Sequence, residues 1–518
     1  MEKITSLSMT EKFVLTSLLF VLSVPPLNLW PFVFVAFVPW LNVVASEAFP
    51  LKKVVMGSTF LGFLYFVFFH HVYLVSAPYP WLGISPVVVW ITVTGLLFVF
   101  GLLHGLGWGV YAWIARRLIV GRIQFFPVAL SVLWVFFELI LFRLNWNMGL
   151  SIGYVIPPQS MFGQLSSIGG VWFISFLVVL VNWMIVQEIK REKRIYFRFF
   201  FPVFMVICWY FVGWLFRANI EAIEVRGKSI EGVAIQVSNG EEKYSAETNN
   251  KYKVLLQEAQ DGARLPQFFV IPETTYIISP VDTQLTQVSS PYFFSSFEDL
   301  QKNLVSSLTF RNLLLAGFVD YRKHEKLYNG ALFLGDGNLE TDYKRSLFPF
   351  GEFLPLKRLW SPYIQSAFRF VPVQDGGTPL IQTPHGPVSV LFCNELFDLF
   401  LAQEDVKRGA MFLTGLASDY TVGTRYYVEW QLRIAGYRAV ENWRPLIFAA
   451  SDARSAIFDV TGRMLSVTSF RSDSFARADI HLITTQSPWT KFGEYMVTFW
   501  VVVGIFLVLL AIRTKKED

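Results

Sequence analysis

Cysteine is nearly absent from this chain of 518 residues, which contains only Cys208 and Cys393. Cys208 lies within an apolar run, whereas Cys393 lies far away in a more polar part of the chain. A protein held together by disulfides would show a larger, even set of cysteines at regular spacing. The sequence therefore suggests no disulfide framework and leaves Cys393 as a candidate free thiol.

Charged residues are also scarce, since Asp, Glu, Lys and Arg make up 16% of the chain, whereas soluble domains average about a quarter. The deficit is concentrated in residues 11–216, which are almost continuously apolar, while residues 217–490 have the composition of a globular domain. The net charge is only +5, and the basic residues cluster beside apolar runs. This arrangement favours a membrane protein and argues against nucleic-acid binding.

Apolar runs of about the length that crosses a bilayer dominate the first part of the chain. They occur at 11–27, 29–46, 54–76, 86–115, 125–142, 169–187 and 197–216, and another occurs at 494–512. The first run leads through Pro25 and Pro26 directly into the second, without a small-residue cleavage site. We therefore interpret the first run as a retained helix and not as a signal peptide. The sequence predicts eight transmembrane helices.

Lys and Arg clusters predict the orientation of these helices, because they all follow even-numbered runs. They comprise Lys52 and Lys53, Arg116, Arg117 and Arg122, the basic segment 190–194, and Arg513, Lys515 and Lys516. Positive charge marks the cytoplasmic side of a membrane protein. The pattern therefore places both termini in the cytoplasm and the polar domain outside it.

The division of the chain follows from these runs. We predict a membrane domain over 1–216 with seven helices, an extracytoplasmic domain over 217–493, and an eighth helix with a cytoplasmic tail over 494–518. Within the polar domain, short apolar runs predict buried strands at 233–237, 268–271, 312–316, 331–334, 388–392 and 411–413. Helix-like stretches lie at 246–260 and 426–441. Such alternation is typical of an α/β domain with strands packed between layers.

Chemically active side chains lie in three segments of the polar domain, 270–276, 343–356 and 386–397, each at or just after the end of a strand. Glu273 follows a predicted strand in Pro272-Glu273-Thr274. Lys344 precedes Glu352 in the second segment, and Cys393 is followed by Glu395 in the third. Each signal is weak alone, because a buried cysteine after a strand is usually part of the core. Together, a carboxylate base, an ammonium and a thiol are sufficient for acyl transfer through a thioester.

The order Glu273, Lys344, Cys393 resembles the nitrilase, or carbon–nitrogen hydrolase, superfamily. Within it, the segments 270–276, 343–356 and 386–397 are similar to those of the apolipoprotein N-acyltransferase family, with Pro349-Phe350-Gly351-Glu352 the most specific element. That family has eight membrane helices with a nitrilase domain inserted before the last one. The resemblance therefore implies an eight-helix membrane domain joined to a four-layer α-β-β-α sandwich.

The same resemblance implies a reaction at a bacterial cytoplasmic membrane. Cys393 would attack an acyl ester of a phospholipid, typically phosphatidylethanolamine, and the acyl group would pass to the α-amine of a diacylglyceryl-cysteine lipoprotein, the last step of its maturation. Glu273 would be the general base and Lys344 the oxyanion partner, with Glu352 and Glu395 as supporting carboxylates. No cofactor or metal is implied, and the expected partners are the phospholipid donor, the diacylated lipoprotein and membrane lipid.

The sequence departs from the family pattern where substrates would be recognised. Asn394 stands where the family usually has Tyr, the loop 417–423 replaces Asn-Asp-Ala-Trp-Phe-Gly, and 448–454 replaces an Arg-x-x-Asn-x-Gly pattern. Tyr244 only loosely replaces a Trp. We expect Asn394, Tyr276, Phe350 and Tyr244 to contribute to substrate binding. Substrate preference is thus less specified than the reaction.

Two other interpretations stay open at this point. One is a membrane-tethered amidase that uses water as the acceptor, and the other is a non-catalytic paralogue that binds lipids or lipoproteins. The sequence does not specify the donor headgroup, the acyl length, the acceptor lipoproteins or the oligomeric state.

Overall fold

The computed structural model describes residues 7–79, 84–121, 126–144, 151–190, 200–238, 245–263, 267–279, 293–305, 312–320, 327–335, 338–355, 358, 380–419 and 423–513. The chain divides into two compact units. A helical unit comprises Met1–Val75, Trp90–Arg217 and Lys491–Asp518, and an α/β unit comprises Ser76–Val89 and Ala218–Thr490.

Apolar helices account for most of the first part of the chain. They are α1 (Met9–Ser23), α2 (Trp30–Ala45), α3 (Leu51–Ser76), α4 (Pro86–Val120), α5 (Phe126–Leu144), α6 (Ser166–Lys190) and α7 (Phe200–Glu224), and α12 (Pro488–Arg513) follows near the C-terminus. Among the described residues, six helices, α3 to α7 and α12, are long and apolar enough to cross a membrane. The protein is thus a multi-pass membrane protein, although the predicted count of eight full spans is not confirmed.

The first two predicted spans are shorter than a bilayer requires, since a spanning helix needs about 20 residues. Helix α1 has 15 residues, and α2 is interrupted at Phe37. Asn182 of α6 satisfies the backbone at this interruption, because its Oδ1 accepts from Phe37 N at 3.0 Å and its Nδ2 donates to Val33 O at 3.0 Å. Irregular backbone at membrane depth requires such partners.

The α/β unit contains two sheets flanked by helices. Its elements are β1 (Lys228–Gln236), α8 (Ala246–Gln260), β2 (Gln267–Ile278), β3 (Phe293–Phe294), α9 (Phe297–Val305), β4 (Leu313–Asp320), β5 (Tyr328–Gly335), β6 (Asn338–Tyr343), β7 (Val388–Phe392), α10 (Leu399–Lys407), β8 (Phe412–Ser418), α11 (Arg425–Asn442), β9 (Leu446–Ser451), β10 (Ala456–Phe458), β11 (Met464–Val467) and β12 (Ser474–Leu482). The sheet orders are β12-β1-β2-β4-β5-β6, with β3 beside β2, and β11-β10-β9-β8-β7.

Three buried apolar clusters define the layers of this unit. The central cluster joins strands of both sheets, for example Phe268 of β2 with Phe412 of β8, whose rings meet edge to face at 4.9 Å. A second cluster joins the first sheet to α8, and a third joins the second sheet to α10 and α11. The order is therefore helix, sheet, sheet, helix, and the predicted α/β fold is confirmed.

Candidate active site

Glu273 lies within β2, at an irregularity of that strand. The predicted strand ended at residue 271, but β2 runs on to Ile278, and its pairing with β4 shifts register between Ile271 and Tyr276. Thr274 there has a φ of 53°. Gly317 of β4 makes room for this irregularity, since a Cβ at that position would lie 2.3 Å from Pro272 O and 2.7 Å from the Cα of Glu273. The local backbone thus fixes the position of the Glu273 carboxylate.

Lys344 follows β6 directly and is buried between two carboxylates. Its Nζ lies 2.9 Å from Glu273 Oε1 and 2.8 Å from Glu352 Oε1. The residue is only 2% exposed, and its backbone N donates to Asn329 O at 2.8 Å. A buried ammonium requires such partners, because an unpaired charge is costly away from water. The structure therefore brings Glu273 into contact with Lys344, which belongs with Glu352 to another segment of the sequence.

Glu352 holds the loop that follows Lys344. Its Oε2 accepts from Phe348 N at 2.7 Å, while its Oε1 faces Lys344 Nζ. Phe350 at the tip of this turn has a φ of 60° and donates its N–H to Phe353 O. The carboxylate of Glu352 is therefore committed to positioning Lys344 and its loop.

Asn329 is a member of the site that the sequence analysis missed. Its Nδ2 donates to Glu273 Oε1 at 2.5 Å and to Glu352 Oε1 at 3.1 Å, and the residue is 2% exposed. Asn329 lies on β5, which pairs with β6 just before Lys344. Only this pairing brings the amide to the two carboxylates, and no local signal in the sequence could have identified it.

Cys393 directly follows β7 and begins a tight turn over Cys393–Phe397. Its φ of 43° lies in the left-handed region, which costs free energy for a residue other than glycine. The side chain is partly exposed, whereas Phe392 before it is fully buried. A sharp turn between a strand and a helix presents a nucleophile in this way in other hydrolytic folds.

Glu395 joins the cysteine turn to the lysine loop. Its Oε1 accepts from the backbone N of Arg345 at 2.6 Å and of Ser346 at 2.8 Å, and its Oε2 accepts from Phe392 N at 3.0 Å. Burial raises the pKa of this carboxyl to about 7 despite Arg345 and these donors. Because all its contacts are with backbone groups, Glu395 acts as a positioning residue.

The charges around the thiol define its resting state. Burial raises the pKa of the Cys393 thiol well above its ordinary value, and Glu273 raises it further while Lys344 opposes this. Burial also raises the pKa of Glu273, against the effect of Lys344. Burial would lower the pKa of Lys344, but the carboxylates of Glu273 and Glu352 outweigh it and raise that pKa. These effects favour an ammonium on Lys344 and a protonated thiol on Cys393.

The residues expected to bind substrate lie in different parts of the α/β unit. Asn394 donates to Ser346 O at 3.2 Å, beside the lysine loop, and Phe350 lies in that loop. Tyr276 belongs to the buried layer between the first sheet and α8, so packing accounts for its position, and its expected role in substrate binding gains no support. Tyr244 and residues 420–422 of the loop 417–423 lie outside the described residues. Within the described part of the chain, no group of three or more acidic, His or Cys side chains could hold a metal ion.

Comparison with known proteins matches two family models in this chain. Residues 16–184 match the apolipoprotein N-acyltransferase N-terminal domain, and residues 295–487 match carbon-nitrogen hydrolase. A carbon-nitrogen hydrolase from Helicobacter pylori G27 superimposes with a TM-score of 0.38 at 17% identity, covering 53% of this chain and 94% of that one.

Curated relatives extend over nearly the whole chain. The apolipoprotein N-acyltransferase of Geobacter metallireducens is 24% identical over 97% of this chain and 95% of its own length. Those of Haemophilus ducreyi and Rickettsia prowazekii are 23% and 22% identical and cover 83% and 75% of this chain, and 82% and 76% of their own lengths. With a matching domain in each half of the chain and curated relatives along nearly its whole length, this protein is similar to the apolipoprotein N-acyltransferases in both of its parts.

Proposed function

We propose that this protein transfers a fatty acyl chain from a phospholipid, through a thioester on Cys393, to the N-terminal α-amine of a diacylated lipoprotein. The observation that carries this proposal is the buried cluster in which Lys344 Nζ lies 2.9 Å from Glu273 and 2.8 Å from Glu352 and acts electrostatically on the Cys393 thiol. The similarity of the chain to apolipoprotein N-acyltransferases along nearly its whole length supports it. The donor we expect is phosphatidylethanolamine.

In the first half-reaction, Glu273 takes the proton of the Cys393 thiol as the sulfur attacks the ester carbonyl. Lys344 stabilises the oxyanion of the tetrahedral intermediate, a role for which a fixed, buried ammonium is well suited. When the intermediate collapses, the C–O bond breaks and Glu273 returns its proton to the leaving alkoxide. The products are a lysophospholipid and an acyl-enzyme, and Glu273 is again a carboxylate.

In the second half-reaction, the α-amine of the acceptor attacks the thioester carbonyl. Glu273 takes a proton from the attacking nitrogen, Lys344 again stabilises the oxyanion, and the C–S bond breaks. The thiolate recovers the proton from Glu273, so the enzyme returns to its starting state. No redox step or cofactor enters this scheme.

We further propose the finer organisation that the sequence indicates. Helices α1 and α2 would bring the number of membrane helices to eight. The membrane domain would comprise residues 1–216, the extracytoplasmic domain 217–493, and the last helix with the cytoplasmic tail 494–518. The protein would lie in a bacterial cytoplasmic membrane with the α/β unit outside the cytoplasm. The Lys and Arg clusters after even-numbered apolar runs support this orientation.

The transferase proposal is tested by following the mass of the purified protein. Phosphatidylethanolamine alone should leave a stable acyl group on Cys393, because a transferase keeps water away from its acyl-enzyme. Adding a diacylated lipopeptide with a free N-terminus should discharge it into an amide. A lipopeptide with an acetylated N-terminus is the matched control and should leave the acyl-enzyme intact.

Release of free fatty acid at the same rate with and without the lipopeptide would make the protein a hydrolase and refute the transferase proposal. Absence of any acyl adduct would instead support the non-catalytic alternative.

The orientation is tested with a membrane-impermeant thiol reagent applied to the outside of the cytoplasmic membrane. In a variant that lacks Cys208 and Cys393, a single Glu247→Cys change on the exposed start of α8 should be labelled. A single Glu192→Cys change in the basic segment 190–194 should stay protected until the membrane is opened. The reverse pattern would invert the proposed orientation.

A further inference from the structure

Asp419 lies beside the nucleophile, at the end of the strand next to β7. Strands β7 and β8 are parallel, and Phe392 pairs with Leu416, so Cys393 is level with Ala417 and Asp419 comes two residues later. The carboxyl ends of neighbouring parallel strands meet at one edge of a sheet, where ligands commonly bind. Asp419 is 0% exposed. It is thus a fully buried acid close to the reacting sulfur.

The backbone fixes Asp419 on both sides. Its N donates to Ser451 O of β9 at 3.1 Å, and its own carbonyl accepts from Gly423 N at 2.6 Å. Gly423 is required for this turn, because a Cβ there would lie 2.5 Å from Asp419 O and 2.9 Å from Asp452 O. The position of Asp419 is therefore set by the sheet and by a tight turn.

Negatively charged side chains surround the Cys393 thiol. The negative charges that raise the pKa of the Cys393 thiol, after burial, are those of Glu273, Asp419 and Glu352, and Lys344 is the cation that opposes them. Asp419 thus adds to the negative charge that Glu273 and Glu352 place near the thiol. Glu273 and Glu352 are both in contact with Lys344, whereas Asp419 lies on the other sheet, next to the strand of the nucleophile. Such a site favours a cationic second substrate.

The number of protons that must leave the acceptor amine requires a second proton acceptor besides Glu273. An α-amine has a pKa of roughly 8, so at neutral pH it arrives mainly as an ammonium with three protons and no lone pair. The amide product keeps one proton, so two must leave the nitrogen. Glu273 takes one during attack and returns it to the sulfur. The other must leave before attack, and Glu273 cannot hold both.

We propose that Asp419 is a further catalytic residue, which binds the α-ammonium of the acceptor and takes its first proton before attack on the thioester. The inference rests on the proposed transferase function and concerns only its second half-reaction. The N–H bond breaks, the proton passes to the Asp419 carboxylate, and the electron pair left on nitrogen forms the new C–N bond. After the amide departs, Asp419 releases the proton to solvent.

Other charged groups on the surrounding elements do not serve this purpose. Asp452, at the end of β9, accepts from Ser238 Oγ at 3.1 Å through its Oδ1. Arg471 donates to the backbone oxygens of Gly423 at 3.0 Å and of Asp452 at 3.4 Å. Lys344, Glu273 and Glu352 form the ion-paired cluster of the first sheet. Glu395 also lies on the side of the second sheet, but its carboxylate accepts from the backbone N of Arg345, Ser346 and Phe392.

The test separates the two half-reactions in an Asp419→Asn variant of the full-length protein. Acylation of Cys393 by phosphatidylethanolamine should proceed at least as fast as in the unaltered protein, which also shows that the variant is folded. Discharge by the diacylated lipopeptide at pH 7 should slow about 10-fold, because only roughly one amine in ten is already neutral at that pH. It should recover as the pH rises past roughly 8, where the free amine is already neutral.

Hydroxylamine provides a second measurement, because it is mostly unprotonated at pH 7 and needs no proton removed before attack. It should discharge the acyl-enzyme of Asp419→Asn as fast as that of the unaltered protein. The matched control is Asp452→Asn, the same change at the end of the neighbouring strand, which should leave discharge by the lipopeptide unchanged.

Each other outcome has a definite meaning. If the unaltered protein transfers its acyl group to the lipopeptide and Asp419→Asn does so equally fast, the inference fails and the proposed function stands. Slowed acylation, or slowed discharge by hydroxylamine as well, would assign Asp419 a structural role and overturn the inference. If the unaltered protein itself does not transfer to the lipopeptide, the proposed function fails first.

Discussion

Replacing Cys393 by alanine is expected to abolish acyl-enzyme formation completely, with no mass increase after incubation with phosphatidylethanolamine. The reason is that the chain contains only two cysteines, and Cys208 lies in helix α7, in the other unit. The neighbours of Cys393 in its turn, Asn394 and Glu395, cannot replace a thiol, since one is an amide and the other is fully committed to backbone hydrogen bonds. Intact-mass measurement of the purified variant checks this.

The matched control for this experiment is Cys208→Ser, which removes the other thiol and should acylate normally. Because Cys393 has a strained φ of 43°, the fold of Cys393→Ala should be compared with that of the control by thermal unfolding. An acyl adduct that persists in Cys393→Ala would show that the thioester forms elsewhere and would remove Cys393 from the mechanism.

The second large effect is expected for Glu273→Gln. This change should lower the rates of both half-reactions by a factor of about 100 to 10,000, the range for removing a general base. Glutamine has the same shape, and its oxygen can still accept from Lys344 Nζ and Asn329 Nδ2. It cannot take a proton from the thiol, whose pKa is raised by burial. Single-turnover acylation and discharge, measured separately, check both steps.

Glu352→Gln is the matched control, since Glu352 contacts the same ammonium at 2.8 Å. Its carboxylate also accepts from Phe348 N, so the change should loosen the lysine loop and cost less than the loss of the base. Equal losses for the two variants in both half-reactions would mean that the site needs the pair of negative charges and that Glu273 has no separate role as a base.

Much of the architecture could be predicted because the signals for it are local. Hydropathy over about 20 residues predicts membrane helices, and the six helices of sufficient length coincide with predicted apolar runs. Short apolar runs between polar turns likewise predicted strands β1, β2, β4, β5, β7 and β8. Six strands were not predicted, namely β3, β6, β9, β10, β11 and β12. Of these, β3, β10 and β11 have only two to four residues and carry little pattern of their own.

The candidate site was predictable only through the resemblance, not through the residues one by one. A Glu, a Lys and a Cys after strands are each ordinary core or surface residues when taken alone. Tyr276 illustrates the limit of such reasoning, because its environment depends on an irregularity of β2. The register shift between Ile271 and Tyr276 places Tyr276 on the same face as Phe269 and Ile271, in the packed layer against α8.

The sequence by itself determined the class of the protein, a chain of apolar helices joined to an α/β domain, and it indicated Glu273, Lys344 and Cys393 as the residues that we propose for acyl-transfer chemistry. Only the tertiary structure decided which further residues lie near them. Asn329 contacts Glu273 and Glu352 through the pairing of β5 with β6, and the pairing of β7 with β8 places Asp419 near the level of Cys393. Such contacts depend on long-range strand register, which local composition and periodicity do not encode.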